Sequence, residues 1–260
     1  MIGDVIIKSC KEVKTKPNMD LNNCIFEELL KAAQHKRGLF VIPLPTGSGK
    51  TYNSCLLMAE ELKKEDARRI FYVTDAKKQL DATIEDIRRN LTQSGFKLQK
   101  HDILRVYSQE EQWERAFTDP DVLQKLEANP LFQGDRAFAN LKRLYTYNDV
   151  SEGIIEEIAK NRSRLIDKVH KEVLSPIRQK YKKETDEVIA SHILREYSVL
   201  EELYPELLFY KSKIVVLTAS KLHTTASPKL VRKGTQPYWK HIEDSLVIID
   251  ESDRVKEAAM

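Results

Sequence analysis

Features that would indicate a disulfide scaffold, a zinc site or a membrane protein are scarce in this sequence of 260 residues. The only cysteines are Cys10, Cys24 and Cys55. None of them forms a Cys-x-x-Cys pair or accompanies a histidine cluster, so neither a disulfide framework nor a structural zinc is expected, and a reducing, cytoplasmic location is favoured. No segment approaches the ~20 apolar residues of a membrane span. The apolar run at residues 5–7 is flanked by charges and is no signal peptide.

Carboxylates are missing from residues 211–242, although the whole chain has a net charge of only +3. The cations of this segment are Lys211, Lys213, Lys221, Lys229, Arg232, Lys233 and Lys240. Cations neutralise phosphates, and aromatic side chains such as Tyr238 and Trp239 accept stacked bases. Composition alone leaves two interpretations open, a surface for a polyanion and a solvated basic loop without a partner.

Short apolar runs, rich in β-branched and aromatic residues, alternate with helical patterns in much of the chain. The runs lie at residues 39–42, 70–73, 103–107, 214–217 and 246–249. Residues 51–64 and 77–91 show apolar side chains at helical spacing. Continuous apolar runs are typical of parallel strands with helices on both faces. The pattern therefore predicts an α/β domain with right-handed crossovers.

Residues 108–210 have a different character, because their pattern is helical, heavily charged and without a convincing strand. One apolar stripe runs as far as Val173 and is expected to end at Pro176. A second stripe follows the cap-like pair Thr185-Asp186 and runs to Leu203. We predict an all-helical insertion over residues 108–210 between two parts of the α/β domain, residues 1–107 and 211–260. A coiled-coil arm remains open.

A phosphate-binding motif occupies residues 44–51, Leu-Pro-Thr-Gly-Ser-Gly-Lys-Thr, after a predicted strand and at the start of a predicted helix. Its glycines let backbone N–H groups and the helix N-terminus face phosphates. Lys50 is expected to reach the β- and γ-phosphates, and the Thr51 hydroxyl to bind Mg²⁺. ATP and Mg²⁺ are therefore the predicted ligands. The predicted nucleotide-binding residues are Pro45, Thr46, Gly47, Ser48, Gly49, Lys50 and Thr51.

A second motif, Asp-Glu-Ser-Asp at residues 250–253, directly follows the apolar run 246–249. A buried strand of this kind delivers its terminal carboxylate to the edge of the sheet where ligands bind. We expect Asp250 to hold Mg²⁺ through water, and Glu251 to orient and deprotonate the attacking water. An acidic cluster after a strand is often only a solvated loop, but the upstream phosphate-binding motif favours catalytic roles for Lys50, Asp250 and Glu251.

Taken together, these two motifs resemble motifs I and II of the superfamily 2 DExD/H-box helicases and translocases. Two weaker matches lie between them in the same order: residues 71–80 resemble motif Ia, and residues 216–222 resemble the Ib/Ic region. The resemblance covers about residues 20–107 and 211–255, and it leaves the helical insertion without a counterpart. It implies an N-terminal RecA-like, ATP-binding lobe with the P-loop NTPase fold.

The resemblance also implies a nucleic-acid partner, because the family grips a sugar–phosphate backbone through these loops. By this resemblance the candidate contacts with the nucleic-acid backbone are Lys77, Thr218, Ser220 and Lys221. The acid-free segment, residues 211–242, lies where the nucleic acid should run. DNA is expected in preference to RNA, without sequence specificity, since phosphate contacts do not read bases. An insertion of this size suits a restriction-like or mobile-element defence translocase by analogy of fold.

The predicted function is ATP hydrolysis that drives a helicase or translocase along nucleic acid. One alternative is a P-loop ATPase switch that works through a protein partner docked on the helical insertion, without nucleic acid. Another is a scaffold that retains nucleotide without catalysis, which the intact Lys50, Thr51, Asp250 and Glu251 disfavour. Binding of a single-stranded oligonucleotide that weakens at high salt would distinguish the helicase or translocase from the protein-driven switch.

The resemblance further implies components that follow motif II, namely motif III and a second RecA-like lobe with an arginine finger. In the resembled fold, the strand after motif II lies between the P-loop strand and the motif II strand. We therefore expect residues 1–260 to form a fragment or one subunit of a split enzyme, with an incomplete sheet. Such a chain should bind ATP weakly, hydrolyse it slowly and show no stimulation by nucleic acid until the second lobe is added.

Overall fold

The computed structural model describes residues 7–9, 18–35, 39–41, 49–74, 80–146, 151–224, 226–227 and 236–250. The chain divides into two compact units. The first consists of Met1–Arg105, Ser212–Thr224 and Tyr238–Met260, and the second of Val106–Lys211 and Thr225–Pro237. Thr225–Pro237 thus groups with the second unit, whereas the sequence division places it with the ATP-binding lobe. The functional domain boundaries stay a prediction.

Parallel strands form the centre of the first unit. In chain order the strands are β1 (Ile7–Ser9), β2 (Leu39–Val41), β3 (Ile70–Thr74), β4 (Ile103–Arg105), β5 (Ile214–Thr218), β6 (Ala226–Ser227), β7 (Gln236–Pro237) and β8 (Leu246–Ile249). A four-stranded parallel sheet has the order β4–β5–β3–β8. The pair β1–β2 is also parallel, whereas β6–β7 is a short antiparallel pair that belongs to the second unit. The predicted α/β class with a parallel sheet is confirmed and is consistent with a RecA-like fold.

Strand β3 is an interior strand of this sheet and pairs with a neighbour on each side. Ile70 lies opposite Ile214 of β5 on one side and Leu246 of β8 on the other. Every residue of β3 and β5 is buried, which is why both strands read as continuous apolar runs. In the described part of the chain, no pairing joins β2 to β8, and β8 pairs with β3 alone.

The helices account for most of the remaining residues. They are α1 (Asn18–Gln34), α2 (Lys50–Leu62), α3 (Leu80–Gln93), α4 (Gln109–Thr118), α5 (Pro120–Ala128), α6 (Arg136–Thr146), α7 (Glu152–Val169), α8 (Ser175–Lys180), α9 (Asp186–Glu196), α10 (Leu200–Leu203) and α11 (Ala219–Thr224). A π-helical turn spans His170–Leu174, and 3₁₀ turns span Pro205–Leu208 and Tyr238–His241. None of the described helices is long and apolar enough to cross a membrane.

Helices α2 and α3 cover one face of the sheet. Because side chains alternate along a strand, Ile70 and Tyr72 of β3 share the face that packs with Cys55 and Met58 of α2. Leu80, Ile84, Ile87 and Leu91 complete this cluster from α3, at the helical spacing seen in the sequence. The packing places the first turn of α2 and the strand β3 in the same part of the core.

The second unit is helical throughout its described residues between 108 and 210. Its core is aromatic, with Trp113 stacked on Phe117 and in edge contact with Tyr204. Capping side chains fix where its helices begin: Ser108 accepts from the N–H of Glu111, and Thr185 accepts from the N–H of Val188. The local sequence thus accounts for the starts of α4 and α9.

The expected helix end at Pro176 is wrong. The helix continues from α7 through the π turn into α8, which contains Pro176 near its start. Proline has no N–H, and its ring clashes with the carbonyl of an α-helical turn. The wider turn, in which the N–H of Ser175 donates to the carbonyl of His170, accommodates the proline without ending the helix.

Two other element boundaries differ from the sequence interpretation. Strand β4 stops at Arg105, two residues before the end of the apolar run. The second helical stripe is broken, because α9 ends at Glu196 and α10 begins at Leu200. The N–H of Tyr197 still donates to the carbonyl of Ile193 at 2.8 Å, but Tyr197 itself leaves the helical conformation.

Candidate nucleotide-binding site

The end of the phosphate-binding motif forms the start of α2. Gly49 has φ 75° and ψ 27°, a left-handed conformation that glycine adopts without strain. Its carbonyl accepts hydrogen bonds from the backbone N–H of Asn53 at 2.9 Å and from the Asn53 side chain at 3.0 Å. The first turn of α2 has no acidic residue, so its positive end suits an anion. Lys50 and Thr51 lie in this turn, both half-buried.

The remaining predicted phosphate-binding residues, Pro45, Thr46, Gly47 and Ser48, lie outside the described residues. Their roles rest on the sequence motif alone. The described residues of the motif, Gly49–Thr51, join it to α2. A helix N-terminus at this point is suited to binding phosphate.

Asp250 lies at the carboxyl edge of the parallel sheet. Strands β3, β5 and β8 run in the same direction, so their carboxyl ends meet at one edge. The backbone N–H of Asp250 donates to the carbonyl of Val73 at 2.9 Å, which extends the ladder between β8 and β3 by one residue. Thr74 of β3 lies opposite Thr218 of β5 at the same edge. Ligands bind at this edge in open α/β sheets.

A buried tyrosine joins the two predicted magnesium ligands. Tyr72 of β3 is 0% exposed, and its hydroxyl donates to Oδ2 of Asp250 at 2.6 Å. The Thr51 side chain lies near enough to the Tyr72 hydroxyl to affect its pKa. Burial and the adjacent Asp250 carboxylate raise the pKa of Tyr72 far above its ordinary value, while the Thr51 contact opposes the rise. The phenol therefore keeps its proton and remains a donor.

The donor set at this point fits a magnesium ion bound with a nucleotide. The Thr51 hydroxyl and the Asp250 carboxylate supply oxygen, the ligand that Mg²⁺ prefers, and Mg²⁺ usually takes only one or two protein ligands besides phosphates and water. Within the described ranges, no group of three or more His, Cys, Asp or Glu side chains could hold a metal ion. Glu251, the predicted general base, lies outside those ranges.

Three of the four predicted nucleic-acid contacts are described. Thr218 ends β5, and its hydroxyl lies 2.9 Å from the hydroxyl of Ser220 in α11. Ser220 is exposed and Lys221 half-buried. Lys77 lies outside the described residues. The sheet therefore brings Thr218 to the same edge as Asp250.

Within the acid-free segment, the structure distinguishes the two aromatic residues. Tyr238 is buried, whereas the Trp239 ring is 46% exposed. The Lys240 ammonium lies 5.7 Å from the centre of the Trp239 ring, a cation–π distance. Tyr238 anchors the 3₁₀ turn Tyr238–His241, and Trp239 is the aromatic side chain of this pair that is available for contact.

Sequence reasoning missed Tyr72, although one signal could have found it. A tyrosine within an aliphatic buried strand must find a partner for its hydroxyl, and the carboxyl end of that strand is where the motif residues were expected. Cys55, in the same cluster as Tyr72, is 1% exposed. Burial raises the pKa of its thiol to about 12, so the thiol stays protonated and unreactive.

A family model described as type III restriction enzyme, res subunit, matches residues 16–171. The match includes the phosphate-binding motif and continues through the first part of the helical unit, which the sequence resemblance had left without a counterpart. It stops short of Asp250. No curated protein matches the chain.

Proposed function

Because the chain belongs to the type III restriction enzyme res subunit family, we propose that it hydrolyses ATP to drive movement along nucleic acid, with DNA as the preferred partner. The family carries the N-terminal RecA-like domain of a superfamily 2 helicase, a helicase- or translocase-type ATPase domain. Such domains generally use ATP and Mg²⁺ and bind nucleic acid. The proposal extends these family properties to the residues of this chain.

One observation carries the assignment of the site: the hydroxyl of Tyr72 donates to Asp250 and lies near the Thr51 side chain. Thr51 and Asp250 come from motifs almost two hundred residues apart, and both were predicted to bind Mg²⁺. Their convergence on one buried hydroxyl supports a single nucleotide site between the start of α2 and the end of β8.

In this site we assign the triphosphate to the backbone of residues 45–49 and to the N-terminus of α2. Lys50 supplies positive charge to the β- and γ-phosphates. Asp250 would hold Mg²⁺ through water, and Glu251 accepts the proton of the attacking water. Mg²⁺, when bound with ATP, neutralises charge on the phosphate oxygens.

The nucleic-acid backbone is assigned to Lys77, Thr218, Ser220 and Lys221, with Trp239 as a stacking platform. We also propose that a second RecA-like lobe, in the full-length chain or on a partner subunit, is needed for full activity. The second edge of β8, which has no partner strand in the described part of the chain, supports a further strand at that position.

Substitution of Lys50 tests the site directly. Lys50→Ala should abolish binding of a fluorescent ATP analogue, and turnover measured with the second lobe present, because it removes the cation aimed at the β- and γ-phosphates. Lys63→Ala, at the exposed C-terminal end of the same helix, is the matched control and should bind like wild type. Turnover that survives in Lys50→Ala would refute the site.

Oligonucleotide binding tests the partner. Log K for single-stranded DNA should fall with log[salt] at about −0.7 for each phosphate neutralised. If ATP binds but neither DNA nor RNA binds at low salt, the nucleic-acid function is excluded and the protein-driven switch becomes the better interpretation.

A further inference from the structure

We propose that Tyr72 is a positioning residue of the ATPase site, whose hydroxyl holds the Asp250 carboxylate and the Thr51 hydroxyl in the arrangement that receives Mg·ATP. This inference rests on the proposed function of the site. It assigns a role to a residue that belongs to neither sequence motif.

The backbone on both sides of the Tyr72–Asp250 hydrogen bond is fixed by the sheet. Tyr72 lies in the interior strand β3, opposite Val216 of β5 and Ile248 of β8. Asp250 is tied to the same strand through its N–H, which donates to the carbonyl of Val73 at 2.9 Å. The backbones of the donor and the acceptor are therefore held by one ladder, and their side-chain oxygens lie 2.6 Å apart.

The contact with α2 has an equally defined origin. The Tyr72 ring belongs to the buried cluster that contains Cys55 and Met58, which lie one and two turns after Thr51 on α2. A ring packed there directs its hydroxyl toward the first turn of the helix, where the Thr51 side chain lies near it. One hydroxyl thus links the helix that begins at the phosphate-binding loop to the strand that ends in Asp250.

A carboxylate on a short side chain can rotate, and a magnesium site needs it in one orientation. The hydrogen bond to Oδ2 restrains that rotation before the ion arrives, which is preorganisation of a ligand by its supporting contacts. Tyr72 is fully buried, so it acts through Asp250 and Thr51.

The test is Tyr72→Phe, which removes the hydroxyl and keeps the ring. Affinity for a fluorescent ATP analogue is measured with Mg²⁺ and with EDTA. The Mg²⁺-dependent gain in affinity should fall about tenfold, the scale of a hydrogen bond to a charged group, while the affinity in EDTA stays at the wild-type value. Tyr204→Phe, which removes a fully buried hydroxyl in the helical unit, is the matched control and should change neither affinity.

A double-mutant cycle separates positioning from a general effect on folding. In the Asp250→Asn background, Tyr72→Phe should cause a much smaller further loss of Mg²⁺-dependent affinity, because its effect passes largely through the Asp250 carboxylate. Equal losses with and without Mg²⁺, or additive losses in the cycle, would overturn the proposal. If wild type and Lys50→Ala bind the analogue alike, the proposed function itself has failed.

Discussion

The carboxylate of Glu61 is expected to stabilise the ATP-binding unit strongly, although it lies at the opposite end of α2 from the phosphate-binding loop. Its side chain is 1% exposed and pairs with Arg68, whose Nε and Nη2 each donate at 2.8 Å. Lys64 donates to Oε2 at 2.7 Å. Arg68 also donates to the carbonyl of Ala33 in α1 at 3.0 Å. The pair therefore fastens the end of α2 to α1 and to the segment that leads into β3.

The size of the effect follows from the pKa of Glu61. The hydrogen bonds from Arg68, opposed by burial and reinforced by Lys64, lower that pKa from 4.5 to about 2. At about 1.4 kcal/mol per pKa unit, the carboxylate contributes about 3 kcal/mol to the free energy of unfolding. Because the folded-state pKa is the lower one, this contribution is complete above pH 4.5 and is lost as the pH falls toward 2.

Glu61→Gln should therefore lower the free energy of unfolding by about 3 kcal/mol at pH 7, since it leaves Arg68 without its charged partner. Urea denaturation followed by far-ultraviolet circular dichroism measures the loss, and hydrogen exchange in α2 localises it. Glu60→Gln is the matched control on the same helix, because Glu60 and its partner Lys63 are both exposed. An exposed pair of this kind contributes about 0.5 kcal/mol or less.

The pH dependence provides the refuting result. The difference between wild type and Glu61→Gln should shrink steadily as the pH falls from about 4.5 to about 2.5, because the stabilisation by the wild-type carboxylate is lost over this range. A difference that stays constant over this range, or a Glu60→Gln loss as large as that of Glu61→Gln, would show that the buried ion pair is not the source of the stability.

Two further predictions concern the catalytic and nucleic-acid contacts. Glu251→Gln should keep Mg·ATP binding but slow hydrolysis by ~10²-fold, the usual scale for loss of a general base. A loss of nucleotide affinity in a binding titration would instead indicate that Glu251 anchors the metal. Single-stranded DNA should quench the fluorescence of the exposed Trp239 but not that of the fully buried Trp113. Quenching that persists in Trp239→Phe would contradict base stacking at this position.

Local patterns predicted the strands and helices that position the site. The run 246–249 coincides with β8, and the run 70–73 falls one residue short of the end of β3. Strand β3 is buried along its whole length, so its sequence is continuously apolar and easily recognised. The run of β8 is equally apolar, although Ile249 at its end is 39% exposed. The glycine and lysine spacing of the phosphate-binding motif likewise predicted the start of α2, because the geometry at Gly49 is a local requirement.

The contacts between distant segments could not be predicted in this way. Tyr72 and Asp250 are 178 residues apart in the chain, and no local pattern specifies that β8 pairs with β3. The pairing of β1 with β2 was also missed, because Ile7–Ser9 is too short and too polar at its end to show a strand pattern. The π turn before Pro176 allows the helix to continue although proline has no N–H to donate. Hydrophobic periodicity gives no information about such a turn.

The interior position of β3 has a consequence for the order in which this protein folds. Its hydrogen-bonded neighbours, β5 and β8, lie about 140 and 175 residues further along the chain, so the contact order of the sheet is high and its formation is slow. On the ribosome, β3 emerges before β5 and β8 and stays unpaired while the helical unit is synthesised. The helices of the second unit form from local contacts and can begin to fold during that interval, although its core also joins distant residues such as Trp113 and Tyr204. Its early folding would draw the start of β5 toward β4 and shorten the loop that the sheet must close.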